Sequence, residues 1–420
     1  NEVFDLPGVS SGARASVIGK IRNDKQYIVH NNGEKIIDAL AEEVTKGFLY
    51  DREYKKPDQE LHEPSLPAPL DHNAILKKML AHENIASRSV VYESYDKQVQ
   101  GRTVSEAGQS DSGAMAPFNS DNYPEEIRKV GIALSTDHNP RYSIISPYLG
   151  GVNAVAEAMR NVAAVGATPH ALSDCLCFGN PEKPHQMWEF VEAVRGISDA
   201  SNGIKLKENQ NHPTPIIAGN VSFYNESKSG AIPPSPIVSC LGKINNVENT
   251  ISMSFKNENS AILMVGSRKD ELGGSLFYDL HGELGANVPT PNLEEVKNQI
   301  YAITDCIEEQ LFLSCHDISD GGLAVAISEM TFKNNIGCDV MVPGNLALEK
   351  LLFSETGGFI IETEPKHLQQ IKNIFKVHDI VYYNIGKTNN NGRIRFNDAI
   401  DLDLKEAKTL WSNGLRDKIK

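Results

Sequence analysis

The chain has 420 residues, 40% of them hydrophobic and 23% charged, which is the composition of an ordinary globular protein with room for two or three domains. Its formal net charge of -14 argues against a nucleic-acid partner, because such binding depends mainly on Lys and Arg contacting phosphates. No run of about 18 apolar residues predicts a transmembrane helix, so no membrane partner is expected.

The N-terminus has neither an initiator Met nor the basic and apolar regions of a signal peptide. We therefore expect a cytoplasmic protein, and the missing Met favours a piece of a longer chain. The six cysteines form no CxxC pair and no zinc-binding spacing, which indicates reduced and mostly buried thiols.

Residues 1–50 contain two short strand-like runs, at 15–21 and 26–29, and an Asn-Asn-Gly turn follows the second run. Two strands with so little apolar mass do not make a domain. We predict that they are the trailing segment of a domain whose main body lies upstream. The stretch 51–71 is polar and rich in proline, a composition that favours an extended linker or a long surface loop.

Residues 72–245 are predicted to form one α/β domain. It should begin with a helix at 72–82 and a mobile loop at 101–124, followed by a strand at 130–134 and a helix at 151–165.

The stretch 168–227 carries a strand, helix, strand unit. A first apolar run leads to Asp174, a helix begins after Pro184, and a second apolar run at 215–218 stops at Gly219. Ligands of open α/β sheets tend to lie where strands end, so the polar residues at these two ends are candidate site residues.

Residues 246–400 are predicted to form a second α/β domain, and 401–420 a tail with a short amphipathic helix. The hydrophobic patterns of the second domain predict strands at 261–265, 311–314, 358–363 and 379–385, and helices at 293–311, 323–330 and 366–376.

Four residues at the strand ends of the central unit suit a nucleotide and its metal. Asp174 can accept a hydrogen bond from a base or a ribose, although Asp also commonly caps a turn. Gly219 allows close backbone approach to a phosphate, Asn220 offers a neutral oxygen to Mg²⁺, and Ser222 can donate to a phosphate. From local sequence alone, these last three residues fit a plain turn as well.

Two further carboxylates, Asp137 and Asp317, are predicted at strand ends in different domains. Mg²⁺ usually takes one or two carboxylates together with phosphate oxygens and water, so the two residues could share an ion. Arg160, on the helix after the Asp137 strand, could hold a phosphate with two hydrogen bonds. The alternatives are capping by the carboxylates and an ordinary ion pair of the arginine.

Several catalytic motifs are absent from the sequence. The Gly-Lys-Thr at 386–388 lacks the upstream glycine of a P-loop, no Rossmann fingerprint follows a strand, and no serine nucleophile elbow occurs. Cysteine-dependent amidotransferase chemistry is not evident either.

Three motifs carry a family resemblance: AVAEAMRN at 154–161, SDCLCFGNPEKP at 173–184 and AGNVSFYNE at 218–226. In this order they resemble the synthetase-subunit (PurL) family of phosphoribosylformylglycinamidine synthase, specifically its C-terminal half. The resemblance covers essentially all 420 residues.

The resemblance implies a PurM-like α/β (α+β) fold. A sheet-forming domain of the AIR synthase N-terminal type would occupy 72–245, and an α/β domain of the AIR synthase C-terminal type would occupy 246–400. Residues 1–50 would be the tail of a preceding domain of the C-terminal type, with 51–71 as the linker and 401–420 as the tail.

The implied activity is that of an ATP-dependent carbon–nitrogen ligase of de novo purine biosynthesis. ATP and Mg²⁺ activate the formamide oxygen of formylglycinamide ribonucleotide, and glutamine-derived ammonia then displaces phosphate to give formylglycinamidine ribonucleotide. The matching family positions make Asp174 and Gly219 ATP-binding, Asn220 metal-binding and Ser222 substrate-binding. The implied partners are the upstream half of the subunit, a glutaminase subunit and a small accessory subunit.

The family's catalytic histidine lies in its first half, so no catalytic base is expected in this chain. Asp137, Arg160 and Asp317 would belong to an auxiliary nucleotide site that could retain ADP. Two positions depart from the family pattern: Asn161 follows Arg160 where the first half has Asp, and Cys177 stands where Asn is usual. Two alternatives stay open: another PurM-like ATP-dependent synthetase, and a non-catalytic nucleotide-binding scaffold.

Overall fold

The computed structural model describes residues 16–47, 50–67 and 69–419. By its internal contacts the chain divides into two compact units, Asn1–Arg52 and Glu53–Lys420. Of the described helices, none combines the length and the apolar character needed to cross a membrane.

The first unit contains an antiparallel hairpin. Strand β1 (Gln26–Asn31) pairs with β2 (Glu34–Leu40) through a turn at Asn32 and Gly33, and helix α1 (Ala41–Lys46) follows. Both turn residues have positive φ, which an Asn-Gly pair adopts readily. The predicted strand at 26–29 is therefore confirmed.

The other predicted strand of this unit, at 15–21, is wrong for its described part: residues 16–21 have no strand, and residue 15 lies outside the described residues. Val17, Ile18 and Ile21 are fully or mostly exposed. A strand requires a neighbour for its backbone hydrogen bonds, and no described strand pairs with this run.

The stretch predicted as a linker has neither helix nor strand in its described residues. Its Glu63 side chain is nevertheless anchored within the second unit. The carboxylate accepts hydrogen bonds from the backbone N–H groups of Ala286 and Asn287 at 2.7 and 2.6 Å. It also accepts the hydroxyl of Tyr278 at 2.7 Å.

The second unit begins with a sheet of strand order β3-β4-β5-β10-β6-β7, called the first sheet here. Its elements in chain order are α2 (His72–Leu80), α3 (Ser89–Tyr92), a 3-10 turn (Val99–Gly101), β3 (Thr103–Ser105), β4 (Gly113–Met115), α4 (Glu125–Arg128), β5 (Gly131–Asp137), α5 (Pro140–Ile145), α6 (Pro147–Ala164), β6 (Thr168–Cys177), α7 (Pro184–Gly203), β7 (Ile216–Ser222), the short pair β8 (Glu226–Ser227) and β9 (Gly230–Ala231), and β10 (Ser235–Ile244).

Helix α6 covers one face of the first sheet and is buried on nearly every side. Its alanine-rich sequence keeps the side chains small, which lets it pack closely between layers. The Ser146 hydroxyl caps its N-terminus by accepting from the backbone of Leu149 at 3.3 Å, and Pro147 occupies the first turn. Gly166, with φ of 93°, ends it in the left-handed conformation.

The predicted helices and strands of 72–245 are confirmed, except that β6 does not end at Asp174 but continues to Cys177, and with two further corrections. The segment 101–124 is not simply a mobile loop, because it contains β3 and β4 at the edge of the first sheet. The second correction concerns β7, which continues through Gly219 and Asn220 to Ser222 instead of stopping at Gly219. It continues because its parallel pairing with β6 extends to the last residue of both strands.

A second sheet, of strand order β12-β14-β11-β15-β13-β16-β17, follows. Its elements are a 3-10 turn (Val247–Asn249), β11 (Ala261–Val265), α8 (Leu276–Asp279), α9 (Leu293–Glu308), β12 (Ser314–Ile318), α10 (Gly322–Phe332), β13 (Gly337–Val340), α11 (Leu348–Phe353), β14 (Gly358–Thr363), a 3-10 turn (Pro365–His367), α12 (Leu368–Val377), β15 (Tyr382–Asn389), β16 (Arg393–Phe396), β17 (Ile400–Asp403), α13 (Leu404–Asn413) and α14 (Arg416–Ile419).

The predicted elements of this part exist, but one strand is misplaced. The strand expected at 311–314 is β12, and it therefore contains His316 and Asp317. Its pairing with β14 begins at Ser314, so the apolar residues 311–313 form the approach to the strand.

Two hydrophobic cores hold the second unit together. One lies between the first sheet, α6, α9 and one face of the second sheet, and the other lies on the opposite face of the second sheet. Helix α2 packs its apolar face in the latter core, with Leu76, Met79 and Leu80 fully buried.

Candidate functional site

The predicted site residues of the first sheet occupy one row across its strands. Val238 of β10 pairs with Asp137 of β5 on one side and with Asp174 of β6 on the other, and Asp174 pairs with Gly219 of β7. Directly paired residues point to the same face of a sheet. Because strands lie about 4.8 Å apart, Asp137 and Asp174 should be about 10 Å apart, close but not in contact.

Asp174 and Gly219 contact each other directly. A β-carbon on Gly219 would lie 2.5 Å from Oδ1 of Asp174, so only glycine leaves room for this carboxylate. Asp174 is half-buried, and burial raises its pKa. The Asp174 carboxylate therefore lies against backbone that carries no side chain. Since β7 is the edge strand of the first sheet, the pair is next to an open sheet edge.

Asn220 and Ser222 point the other way. Side chains alternate along a strand, so these two residues lie on the face opposite to Gly219. Asn220 is exposed, and the Ser222 hydroxyl exchanges hydrogen bonds with the Asn225 side chain at 3.1–3.3 Å. The structure thus places Asp174 and Gly219 on one face of the first sheet and Asn220 and Ser222 on the other.

Asp137, at the end of β5, contacts the helix behind the sheet. Its Oδ1 accepts from Nδ2 of Asn161 at 3.0 Å, while its buried Oδ2 has no hydrogen-bond partner among the described residues. The amide oxygen of Asn161 is likewise buried without a partner. Burial raises the pKa of Asp137 to about 6. Unsatisfied buried oxygens are costly, so this pair is suited to an additional cation or donor.

Arg160 of α6 and Asp317 of β12 form an ion pair between the helix that covers the first sheet and the second sheet. Nε of Arg160 lies 3.8 Å from Oδ2 of Asp317, and each side chain is only 3% exposed. Neither atom makes a hydrogen bond to another described residue. Burial, followed by the charge of Asp111, raises the pKa of Asp317 to about 7. Gly357 leaves the space into which the Arg160 guanidinium extends.

The structure adds residues that sequence analysis missed. Glu157 lies one turn before Asn161 on α6, and burial, together with the charges of Asp137 and Asp317, raises its pKa well above the usual range. Its position four residues before Asn161 was a usable signal, because residues four apart share a helix face.

Asp111 also contributes, from the segment predicted to be mobile. Its carboxylate binds Nδ1 of His316 at 2.6 Å and accepts the backbone N–H of Asp317 at 2.9 Å. Nε2 of His316 contacts Glu329 at 3.2 Å on the other side. Burial alone would lower the pKa of His316, but the charge of Asp111 and the hydrogen bonds to both carboxylates raise it well above its usual range. No sequence pattern indicated Asp111.

The oxygens of this cluster suit a hard cation. Asp137, Asn161 and Asp317 each present a buried oxygen without a partner, and Mg²⁺ prefers carboxylate and amide oxygens. These buried oxygens could therefore hold a magnesium ion, and the nearby Arg160 guanidinium could neutralise the charge of a phosphate.

A polar cleft of about 270 Å³ opens next to the cluster. His138 lies in it with both ring nitrogens unpartnered among the described residues, and burial lowers its pKa to about 4, so the ring is neutral at physiological pH. The cleft is lined by Asn84, Arg88, His138, Asn139, Pro140, Arg141, Gly274, Leu276, Asp279 and Asp320.

Comparison with known families and proteins gives a consistent result. The family model "AIR synthase related protein, N-terminal domain" matches residues 123–244, and "AIR synthase related protein, C-terminal domain" matches 257–398. The phosphoribosylformylglycinamidine synthase subunit PurL of Methanothrix thermoacetophila is 42% identical over 100% of this chain and 55% of its own length. The subunit of the same name from Methanocaldococcus jannaschii is 36% identical over 94% of this chain and 53% of its own length.

Solved structures agree at the level of the fold. Thermotoga maritima PurL complexed with FGAR aligns over 81% of this chain and 54% of its own, with a TM-score of 0.62 and 19% identity. The same protein complexed with ADP gives a TM-score of 0.57 at 18% identity, over 79% of this chain and 51% of its own. The chain spans about half the length of the curated relatives it matches.

Proposed function

The chain belongs to the family of AIR synthase related proteins, and on that premise we propose that it is the C-terminal half of a phosphoribosylformylglycinamidine synthase synthetase subunit. The activity is the ATP-dependent conversion of formylglycinamide ribonucleotide to formylglycinamidine ribonucleotide with glutamine-derived ammonia. Similarity to PurL subunits over the whole chain supports this assignment. The observation that carries the site is the open edge of the first sheet at β7, which is lined by Asp174 and Gly219 on one face and by Asn220 and Ser222 on the other.

The chemistry requires positioning and charge neutralisation rather than a covalent enzyme intermediate. The γ-phosphoryl group of ATP passes to the formamide oxygen of the substrate, and ammonia then attacks the activated carbon and displaces phosphate. Asp174 accepts a hydrogen bond from the nucleotide, and Gly219 keeps the backbone free of side-chain bulk beside it. Ser222 donates to the substrate on the other face of β7.

Asn220 would provide an oxygen to Mg²⁺ carried by the nucleotide. A bound Mg²⁺ neutralises phosphate charge during the transfer. One exposed amide is too little to hold this ion alone, since Mg²⁺ usually needs one or two carboxylates and phosphate oxygens. The missing ligands are expected from the nucleotide and from a second polypeptide segment.

The upstream half of the subunit is the proposed source of that segment and of the catalytic base. The uncovered face and edge of the first sheet expose apolar side chains, with Leu134 at 54% and Ile217 at 66% exposure. Exposed apolar area of this kind marks an interaction surface. A sheet from the upstream half would cover it and place its own residues opposite Asn220 and Ser222. A glutaminase subunit and a small accessory subunit are the further proposed partners, supplying ammonia.

A second role is proposed for the buried cluster at Asp137, Arg160 and Asp317. Its unpartnered oxygens and the adjacent cleft favour an auxiliary nucleotide site in which Mg²⁺–ADP is retained as a structural element. At this site the chain would act as a scaffold for the other half. Mass spectrometry of the gently purified protein should then find ADP that does not turn over, and Asp137→Asn should lose it.

The deciding experiment measures ADP release from ATP, Mg²⁺, ammonium and formylglycinamide ribonucleotide. It is run with this chain alone, with the upstream half alone and with both together. Substrate-dependent ADP release only in the mixture is the expected result. Equal release from this chain alone would overturn the half-site proposal, and a base would then have to lie among its own residues.

A further inference from the structure

Cys175 and Cys177 of β6 form a pair of neighbouring thiols. Their Sγ atoms lie 3.9 Å apart, and both residues are half-buried. The remaining cysteines of the chain are buried, at positions 240, 306, 315 and 338. Cys175 and Cys177 thus differ from the other cysteines in lying close to each other and in being partly accessible to solvent.

The two thiols project from the uncovered face of the first sheet. Being two residues apart on one strand, they share a face, and it is the face opposite to Asp174. In the pairing of β6 with β7, Cys175 lies beside Asn220 and Cys177 beside Ser222. The thiols therefore lie next to the proposed metal and substrate residues.

The backbone around the pair is regular. Both cysteines are paired in continuous register with β10 on one side and with β7 on the other. The register irregularities of β6 fall elsewhere, at residues 169–173 and their partners. The backbone hydrogen bonds to β10 and β7 therefore hold this part of β6 in a regular extended conformation.

This geometry disfavours a disulfide. Residues two apart on a regular strand have β-carbons about 6.6 Å apart, from a rise of about 3.3 Å per residue. A disulfide needs β-carbons about 3.5–4.5 Å apart and sulfurs about 2.05 Å apart. Oxidation would therefore have to bring the two β-carbons about 2–3 Å closer, against the hydrogen bonds to both neighbouring strands.

The same geometry suits two thiolates on one metal ion. With the zinc–sulfur bond of about 2.3 Å and a tetrahedral angle, the two sulfurs are about 3.8 Å apart, and the longer bonds of a larger soft ion widen this separation slightly. The observed separation is 3.9 Å. No backbone movement is needed for the metal, in contrast to the disulfide.

We propose that Cys175 and Cys177 form a two-thiolate site for a soft, thiophilic metal ion such as Cd²⁺, on the uncovered face of the first sheet. Thiolates are the protein ligands that soft ions prefer. Two S–H bonds break, two metal–sulfur bonds form, and two protons pass to the solvent, with no change in oxidation state. The remaining coordination positions face solvent beside Asn220 and Ser222.

The site is tested with Cd²⁺ alone, titrated into the full chain without oxygen, magnesium or nucleotide. The expected result is one Cd²⁺ per chain, with a thiolate-to-cadmium charge-transfer absorption band and release of two protons. Cys175→Ser and Cys177→Ser should each lose the band, because one thiolate cannot chelate. Ser173→Ala, on the same strand and the same face, is the matched control and should keep it.

Two results would overturn the proposal. One is an unchanged band in the variant carrying both serine substitutions, which would assign binding to the buried cysteines. The other is full binding with only one cysteine substituted. Thermal unfolding of each variant separates loss of binding from loss of fold. The titration uses no ATP and no substrate, so its outcome is independent of the proposed ligase activity.

Discussion

Oδ1 of Asp174 lies over the α-carbon of Gly219, where a β-carbon would come within 2.5 Å of it. Gly219→Ala should therefore displace the carboxylate and weaken ATP binding about tenfold, or about 1.4 kcal/mol. Unfolding stability should change by only about 0.5 kcal/mol, because β7 is an exposed edge strand.

Isothermal titration of ATP into the site formed with the upstream half measures the affinity, and urea unfolding measures the stability. Gly113→Ala is the control, since a β-carbon there meets only the backbone oxygen of Leu134, at 4.0 Å. If Gly219→Ala binds ATP with unchanged affinity, Asp174 is not part of the nucleotide site.

Asp137 should make stability depend on pH. Burial raises its pKa to about 6 from 3.8, so the folded state holds the proton more tightly than the unfolded state. The contribution of this proton to the free energy of unfolding is fully present below about pH 4 and is lost as the pH rises through about 6. Relative to Asp137→Asn, the parent chain should lose about 3 kcal/mol of unfolding free energy across that interval.

Urea unfolding at a series of pH values, without divalent cations, checks this. Asp121→Asn changes an exposed carboxylate and should leave the dependence of the unfolding free energy on pH unchanged. Mg²⁺ should stabilise the parent more above pH 6 than below it, because it binds the ionised form. Parallel curves for the parent and Asp137→Asn would contradict the assignment.

The buried pair of Arg160 and Asp317 predicts strong coupling. Removing one partner leaves the other charge buried and uncompensated, which costs about 3–5 kcal/mol. Arg160→Met and Asp317→Asn should each destabilise the protein by that order, and the double variant by much less than the sum. A double-mutant cycle of urea unfolding measures the difference. Additive losses would show that the two charges do not interact.

Asp111 should fix the segment 101–124 against the second sheet. Asp111→Ala removes its hydrogen bonds to His316 and to the backbone of Asp317, and should cost about 1–3 kcal/mol. Amide hydrogen exchange in 101–124 should become faster. Asp121→Ala, in the same segment but exposed, is the comparison variant. Equal exchange in both variants would assign the anchoring to other contacts.

Much of the fold could be predicted from the sequence because its larger elements are strongly periodic. Helices α6, α7 and α9 and strands β5, β11 and β14 all have long apolar patterns or clear terminal signals. Short elements such as β3, β4, β13 and β16 were missed, because three or four residues carry too little pattern. The end of β7 was missed because it depends on pairing with β6.

The site was only partly predictable for a related reason. Residue types at strand ends identified Asp137, Asp174 and Asp317 as candidates. The contact between Arg160 and Asp317 joins residues 157 positions apart and depends on how the layers pack, which no local pattern contains. The opposite orientation of Gly219 and Asn220 follows only once both are known to lie within a strand.

The alternation of side chains between the two faces of β7 constrains how this strand can evolve. Substitutions there alter one side chain, but inserting or deleting a single residue before Gly219 would exchange the two faces for every position after it. Asn220 would then turn to the face of the sheet that carries Asp174, and Val221 would turn to the opposite face. We expect related sequences to tolerate replacements in this strand far more readily than changes in its length.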